Sequence, residues 1–593
     1  MILVFGGTTE GRKAVAVLEV AGKPFFYSTK TGEQELALHN GISLEGAMDG
    51  EAMQQFCISH DIRLIVDAAH PFATRLHKTV AAVTAQLLLP LIRYDRVYPS
   101  RDPSITWIDD YSQVPTDVHT LLATTGVQSI SKLKYLEAKG IKVFYRILKR
   151  ESSITLAKAQ GADENQLCYY EDGSTIDVDA DAILLKESGE SGGFSEKVNA
   201  ARAKGMRVIA LKCPTINYTL YPINYTFING PHGLRRAIER LLPDFFPLKS
   251  GLTTGTCATA AVTAAMLTLQ GEEEEAVWVQ LPDGESVLVD IESVGEGEAT
   301  VIKDFSDDPD VTRGCRISAK VKTPPPLIPE QSSPTRSLSR QGEVRDGSFI
   351  RFLQGEGVGR VTLPGLGIPV GEPAINPVPR QMMTAAVRAL TDEDVDITIS
   401  VENGRELAQR TFNERVGVVD GISIIGTSGI VMPLSNDAFI ESIGREMEVA
   451  RALGCEAIGL ASGKRGEEAL LSQEPSLRVI HYGNFIGASL EKASTLGFKR
   501  VVLGIMIGKA VKLAEGHLDT HSHKVLMNKS FLATVATEVG VSNAAHILND
   551  ITMARELWDV MPPVFFERIR ELCLQHCRRA FPKGEMAIEL LKQ

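Results

Sequence analysis

Near its start the sequence reads "ILVFGGTTEGR", Ile2 to Arg12. Four apolar residues run directly into Gly6 and Gly7, followed by Thr8, Thr9, Glu10, Gly11 and Arg12. A buried strand that ends in a glycine turn and opens a helix aims backbone N–H groups and a helix N-terminus at one point, where a phosphate fits. Gly6, Gly7 and Gly11 permit close approach, Thr8 and Thr9 add hydroxyl donors, and Arg12 adds charge. The spacing is not G-x-G-x-x-G, because Thr8 stands where the second glycine of that fingerprint would fall. The same residues also suit a polar turn with no ligand.

Outward from this stretch the pattern recurs. The runs "PFFYST", "RLIVDAA", "KVFYRIL", "AILLKES" and "RVIALKC" read as buried strands. The segments "TEGRKAVAVLEVAG" and "GGFSEKVNAARAKG" read as the amphipathic helices between them. Such alternation predicts parallel sheets with crossover helices. The length suits two Rossmann-like domains, 1–115 and 116–245. The proline-bearing "LPDFFPLKSGLTTGT" marks a junction. An α+β domain is expected over 246–410, interrupted by a Pro/Ser/Arg-rich insertion at 323–347. Strand–helix alternation returns from about Val416 and predicts a further Rossmann-like domain over 411–593. The expected fold class is therefore α/β and multi-domain.

The bulk numbers agree. A chain of 593 residues is too long for one core. Its formal net charge of -12 argues against non-specific nucleic-acid binding, which needs a basic field. Eight cysteines without a pairing framework point to a reducing, cytoplasmic setting. Met1 leads straight into a strand-like run, and no stretch reaches 18 uninterrupted apolar residues, so neither signal peptide nor membrane span is expected.

The second strand sharpens the first loop's reading. "FFYSTKTG" ends in Ser28, Thr29 and Lys30, with no acid until Glu33. Dinucleotide folds that take NAD place a carboxylate here for the ribose hydroxyl. A carboxylate would repel a 2′-phosphate, whereas Ser28 and Lys30 would accept one. The expected cofactor is NADPH. Further on, "DAAHPFATRLHK" (Asp67 to Lys78) puts His70 and Arg75 at a sheet's carboxyl edge. "RYDRVYPSR" supplies Arg93 and Arg96, which suit a pocket for substrate carboxylates or a solvated face. "KESGESGGFSEK" is another loop at a strand end, with Ser188 and Gly189 as candidate substrate contacts. His70 is the candidate proton donor, with water as the alternative.

Together, "ILVFGGTTEGR", "DAAHPFA", "RYDR" and "KESGESGGFSEKVNAA" resemble the precorrin-6A reductases of cobalamin biosynthesis over about Met1 to Leu242. The resemblance implies NADPH-dependent reduction of a double bond in a corrin precursor, in a cleft between two Rossmann-like domains. One position departs from the expected pattern: "LKCPT" has Cys213 before Pro214, where the resemblance leads one to expect arginine.

A different loop, "SGLTTGTCATAA", begins at Ser250 and runs into a helix of small residues. Its N–H groups and the hydroxyls of Thr253, Thr254 and Thr256 could hold an anion, and its small side chains allow close approach. Cys257 reads as a small buried cysteine more readily than as a thiolate. "KDFSDDPDVTRG" (Lys303 to Gly314) is acidic, but its spacing is not that of an EF-hand. "DGISIIGTSGIV", "LASGKRG", "YGNFIG" and "GIMIGKAVKLAEGHLDTHS" each place glycine at a strand end, as a nucleoside-bearing ligand needs. Gly426, Gly429, Gly463 and Gly508 are the candidate cofactor contacts. His517, Asp519, His521 and His523 lack ordered metal-ligand spacing, so no metal is expected. His521 stands as the candidate catalytic histidine of this half.

The blocks "GLTTGTCATAA", "KDFSDDPDVT", "PGLGIPVGEPAINPVPR", "GISIIGTSGIV" and "GKAVKLAEGHLDTHS" resemble cobalt-precorrin-5B C(1)-methyltransferase from about Ser250 to near the C-terminus. That resemblance implies methyl transfer from S-adenosylmethionine to a ring carbon, giving cobalt-precorrin-6A, which the first half would reduce. The expected partner is a cobalt-containing tetrapyrrole, with self-association into a homo-oligomer left open and neither nucleic acid nor membrane expected. Two alternatives stand beside this reading: a chain with only the methyltransferase active, and a tetrapyrrole carrier without chemistry.

Overall fold

The structure is a computed structural model that describes residues 1–30, 32, 36–170, 178–215, 225–304, 306–308, 310–323, 349–433, 436–521 and 526–592. Glu33, His523 and all of the expected insertion except Thr323 lie outside the described residues. The chain forms two compact units, one of Met1–Leu248 with Gly284–Val287, the other of Lys249–Asp283 with Leu288–Gln593.

The first unit holds two parallel sheets. One contains β1 (Ile2–Phe5), β2 (Phe25–Thr29), β3 (Gly41–Glu45), β4 (Leu64–Asp67) and β5 (Leu91–Tyr94). The other contains β6 (Thr106–Ile108), β7 (Thr120–Ala123), β8 (Lys142–Leu148), β9 (Leu167–Tyr170), β10 (Ala182–Lys186) and β11 (Arg207–Leu211). A last strand, β12 (Tyr225–Ile228), returns to the first sheet and pairs with β5. The strand orders are β12-β5-β4-β1-β2-β3 and β6-β11-β10-β7-β8-β9. The order reverses between β1 and β4, which makes their carboxyl ends a switch-point crevice. The helices are α1 (Thr9–Glu19), α2 (Gly50–Ser59), α3 (Thr74–Leu87), α4 (Ile130–Glu137), α5 (Glu151–Ala159), α6 (Phe194–Ala203) and α7 (Pro231–Leu241).

Both faces of each sheet are covered, which is why the strands read as continuous apolar runs. In the first, Ile2, Val4, Phe25 and Tyr27 pack with residues of α1 and α7. Their neighbours Leu3, Phe5 and Phe26 pack with residues of α2 and α3 on the opposite side. Each fully buried aliphatic or Phe side chain contributes about 1.5–3 kcal/mol.

The expected boundary at 115/116 differs from the structure on two counts. Thr106–Ile108 already belongs to the second sheet, and Tyr225–Ile228 belongs to the first. A strand donated across sheets leaves no trace in the alternation of apolar runs.

In the second unit, α8 (Thr254–Leu269) is buried along most of its length. Its Ala, Thr and Gly residues let it lie close to the helix Pro377–Arg388 and to the strands Glu298–Ile302 and Arg316–Lys322. Those strands belong to a five-stranded sheet that also includes Ser293–Gly295, Val395–Val401 and Ile350–Gln354. Arg316–Lys322 alternates exposed and buried residues, as a sheet with one covered face requires. A four-stranded parallel sheet follows, in the order Arg478–His481, Ala457–Ala461, Arg500–Met506, Glu585–Leu591. The stretch "VGVVDGISIIG" is not its first strand. Val418–Val419 pairs with Arg360–Val361, and Ile430–Val431 pairs with Gly251–Leu252. The α+β part thus extends past the expected boundary at 410/411, because these short runs are edge pairs in a loop system. Among the described residues no helix is long and apolar enough to cross a membrane.

Candidate functional site

At the end of β1, Gly6 donates its N–H to the carbonyl of Ser28, which ties the glycine turn to the end of β2. A Cβ at Gly6 would lie 2.2 Å from the Tyr27 hydroxyl, so only glycine fits without displacing that ring. Gly7 has φ +86 and donates to the Tyr27 hydroxyl at 2.9 Å. Thr8 caps α1, accepting from the Gly11 N–H at 3.0 Å and donating to the Ala68 carbonyl at 2.6 Å. Its hydroxyl therefore builds the turn, while Gly7, Thr9 and Arg12 are exposed. Ser28 is buried and Lys30 is exposed at the tip of the adjacent strand.

The loop after β4 rests on a buried charge network. Asp67 is fully buried and accepts from Arg93 at 3.1 Å and from His77 Nδ1 at 2.5 Å. Burial raises the Asp67 carboxyl pKa, but Arg93 and His77 outweigh it and hold the group below its usual range. Arg93 also donates to the carbonyls of Asp67 and Ala69, so this guanidinium is turned inward. His77 Nε2 lies 3.0 Å from the His70 carbonyl and fixes the loop from below. His70 Nδ1 accepts from the Phe72 N–H at 3.2 Å. Burial, reinforced by Arg96 and Lys186, lowers the His70 pKa to about 3, so its imidazole is neutral at physiological pH. A neutral ring donates a hydrogen bond through Nε2 but holds no readily transferred proton. Arg75 is exposed in the first turn of α3.

Arg96, Ser188 and Gly189 come together. Arg96 pairs with Glu10 at 2.9 Å and donates to the Ser188 carbonyl at 2.7 Å. Gly189 has φ +69, and a Cβ there would press on Arg96 and the Val97 carbonyl at 2.8 Å. Beside this junction lies a cleft of about 490 Å³ lined by residues of both lobes, among them Phe72, Arg101, Lys132, Lys186, Lys212 and Cys213. Arg101 forms a bidentate pair with Glu187, and Lys212 pairs with Asp109. Cys213 donates its backbone N–H to Glu187 at 2.7 Å and its Sγ sits 3.4 Å from the Tyr98 hydroxyl. The position where arginine was expected thus faces a cleft already lined by other cations. Glu10, Asp67, His77 and Lys186 lie within the strand-end motifs, but their roles depend on neighbours distant in sequence.

In the second unit four motifs meet at the start of α8. The Thr254 hydroxyl accepts from the Ile425 N–H at 2.8 Å and lies 3.2 Å from the Ile425 carbonyl. The Thr256 hydroxyl donates to the Gly429 carbonyl at 2.7 Å. The Thr253 hydroxyl caps the helix, accepting from the Thr256 N–H at 3.2 Å. All three threonines are buried; the Thr254 and Thr256 hydroxyls clasp the 423–429 loop, while that of Thr253 caps the helix against it. Gly426 has φ +142, and a Cβ there would lie 2.3 Å from Thr253 Oγ1. Gly429 has φ +82 and faces Leu281 and Thr256. A Cβ at Gly255 would lie 2.6 Å from Pro379. The acidic motif closes inward as well. Buried Lys303 pairs with Asp310 at 2.6 Å, and Asp304 accepts from the Leu252 N–H at 2.8 Å. Gly426 and Thr427 border a groove of about 160 Å³ with Asn376, Pro379, Glu441 and Arg445.

Gly463 and Gly508 sit elsewhere, at the carboxyl ends of the adjacent strands Ala457–Ala461 and Arg500–Met506. Gly463 opens the helix Lys464–Gln473, and a Cβ there would meet nothing within 4 Å. On the same edge Lys509 donates to the Gly483 carbonyl, and Thr520 N–H to the Asn484 carbonyl at 3.1 Å. Burial lowers the Lys509 pKa to about 8. His521 follows this pairing, with its N–H 3.2 Å from Asp519 Oδ1. The four candidate glycines therefore form two pairs, one on the threonine loop and one on the sheet edge. Among the described residues His517, Asp519 and His521 bring no three ligand atoms together.

A glycine-turn edge on a doubly wound sheet and a second parallel-sheet edge in the same chain define a multi-domain α/β protein with two candidate ligand edges. Residues 1–226 match the family model for precorrin-6x reductase CbiJ/CobK, and residues 244–433 match that for CbiD. A cobalt-precorrin-5B C(1)-methyltransferase of Prosthecochloris aestuarii is 39% identical over 364 residues, 58% of this chain and 94% of that protein. One of Burkholderia lata is 43% identical over 310 residues, 50% of this chain and 80% of that protein. The crystal structure of a cobalamin biosynthesis protein (cbiD) from Archaeoglobus fulgidus is 27% identical, with a TM-score of 0.25, over 47% of this chain and 83% of that one. A structure of CobK precorrin-6A reductase is 16% identical, with a TM-score of 0.34, over 41% of this chain and 96% of that one. The chain belongs to the cobalt-precorrin-5B C(1)-methyltransferase family and carries a precorrin-6x reductase domain ahead of it, as a bifunctional enzyme of cobalamin biosynthesis.

Proposed function

We propose that the second unit methylates C-1 of cobalt-precorrin-5B to give cobalt-precorrin-6A, and that the first unit reduces this product to cobalt-precorrin-6B, in the cytosol. The observation that carries the reading is the presence of both family matches, 1–226 and 244–433, in one chain.

NADPH and S-adenosylmethionine supply the hydride and the methyl group when bound. The residues of the first turn fit a dinucleotide phosphate. Gly7 is open, α1 begins there, and Thr8 already satisfies the Gly11 N–H. Lys30, with Ser28 and Thr29 beneath it, gives the end of β2 a positive rather than an acidic character, which favours a 2′-phosphate. Arg96 with Ser188 and Gly189 shapes the interlobe wall of the cleft, and Arg75 offers an exposed cation at its edge. His70, neutral, orients substrate by donating through Nε2.

For the methyl donor, the Gly463 and Gly508 edge supplies room where a side chain would otherwise stand. Gly426 and Gly429 with Thr253, Thr254 and Thr256 act one step back, holding the 423–429 loop against α8. His521 stands near the same edge as a candidate to position substrate.

The test is a blocked second step. Gly6→Ala should abolish NADPH binding in the full chain while methyl transfer continues, so cobalt-precorrin-6A accumulates. Loss of both activities, or of neither, would count against two separate sites.

A further inference from the structure

Resting on the reductase reading above, we propose that Lys186 is the proton donor of the reduction. Reducing a double bond adds a hydride to one atom and a proton to the other. The hydride comes from the dinucleotide. The Nζ–H bond of the Lys186 ammonium breaks, its proton goes to the second atom of the former double bond, and the neutral amine left behind regains a proton from water.

Three features of the cleft select this residue. Lys186 ends β10 in the second lobe and lines the cleft of about 490 Å³. Its Nζ sits 5.1 Å from the ring centroid of Phe72, the residue two beyond His70. Phe72 comes from the first lobe and packs against the core of the second, so Lys186 stands where the carboxyl edges of the two sheets meet. Among the described residues Lys186 also has no carboxylate partner, whereas Arg101 and Lys212 on the same wall are each paired. An ammonium lining the cleft without an ion-pair partner among the described residues is free to act on what enters it.

Burial, with a smaller contribution from neighbouring charge, gives it a suitable acidity. Burial lowers its pKa to about 8, and Lys132, which also lines the cleft, adds to the shift. Arg101, Lys212, Asp109, Asp110, Tyr111 and Cys213 are the other charged or titratable residues lining this space. An acid works best when its pKa lies near the working pH. Lys186 is still mostly protonated at neutral pH yet gives up its proton far more readily than an exposed lysine. His70 lies on the other side of this balance. Its proton is already gone at neutral pH.

The experiment uses the full-length chain with cobalt-precorrin-6A and NADPH, comparing wild type, Lys186→Met and Lys186→Arg. Methyl transfer by the other unit and NADPH binding by fluorescence report whether each variant is folded and loaded. Competitive acetylation read by mass spectrometry measures the Lys186 pKa without turnover and should give about 8. The wild-type reduction rate should fall above that pH as the ammonium deprotonates. Lys186→Met should lower kcat by about 100-fold or more, with little change in KM and with the alkaline limb gone. Lys186→Arg should fail to restore kcat, since a guanidinium does not release its proton. If Arg restores the rate, or if Met raises KM alone, Lys186 is a carboxylate seat for substrate and the proposal is wrong. If Met leaves rate and pH limb intact, the proposal is also wrong. If the wild type itself does not oxidise NADPH on this substrate, the reductase reading fails first.

Discussion

The guanidinium of Arg96 lies 2.9 Å from the carboxylate of Glu10, and both side chains are 6% exposed. Glu10 stands in the first turn of α1, and Arg96 follows β5. The same guanidinium reaches the Ser188 carbonyl of the second lobe, so one ion pair joins α1 to the loop after β10. Removing one partner strands a buried charge, which typically costs about 3–5 kcal/mol. Glu10→Gln and Arg96→Met should each lower stability by that order in denaturant titration. The double variant should recover much of the loss. Strict additivity of the two losses would contradict the pairing.

Cofactor choice should follow Lys30. Lys30→Glu is expected to weaken NADPH and strengthen NADH, shifting their affinity ratio by about tenfold or more, the equivalent of about 1.4 kcal/mol. Isothermal titration with both dinucleotides measures it. An unchanged ratio would remove the end of β2 from the 2′-phosphate site.

The threonine clasp should matter to folding of the methyltransferase part before it matters to chemistry. Thr254→Val leaves the Ile425 N–H without its acceptor inside the protein. A fully buried donor left unsatisfied costs about 1–3 kcal/mol, and this part-buried one should cost toward the lower end, about 1 kcal/mol. Thermal unfolding should register that loss, and methyl transfer should fall with it. A variant of full stability would show that the clasp is dispensable.

His70 sets a pH dependence whose sign is fixed. Its folded pKa of about 3 lies below its ordinary value of 6.5. Between those values the unfolded chain binds a proton that the folded chain does not, so stability falls as pH drops through this window. Above pH 6.5 the histidine has no such effect. His70→Asn should therefore flatten the acid side of the stability profile, measured by denaturant midpoints at a series of pH values. It should not move the alkaline limb of the reduction rate.

Much of this architecture was legible in the sequence because buried parallel strands and their glycine turns are local signals. "ILVFGG" and "FFYST" are the strands β1 and β2, and Gly6 and Gly7 make the turn between strand and helix. What was not legible depends on partners far along the chain. Nothing near Tyr225 says that its strand pairs with Leu91. Asp95 beside Arg93 gives a local hint of one pairing, but nothing near Arg93 or Arg96 points to their buried partners, since Asp67 and Glu10 lie 26 and 86 residues away. Thr253, Thr254 and Thr256 looked like ligand donors, and only the fold reveals the 423–429 loop against them. Lys186 is, in the sequence, only the first residue of a glycine-serine motif. Its chemistry comes from Phe72 and from the cleft.

On the proposed order, fusion raises the local concentration of the reductase site for the methylated product of the other unit, an advantage that requires no new contact. The order of the two steps is the central claim, and ordered addition tests it. The full-length chain is incubated with cobalt-precorrin-5B and S-adenosylmethionine, then given NADPH, while absorbance and mass of the macrocycle are followed. One methyl unit should appear first, and two hydrogens only after NADPH arrives. Oxidation of NADPH on the unmethylated substrate, or no change of mass after its addition, would contradict the consecutive reaction.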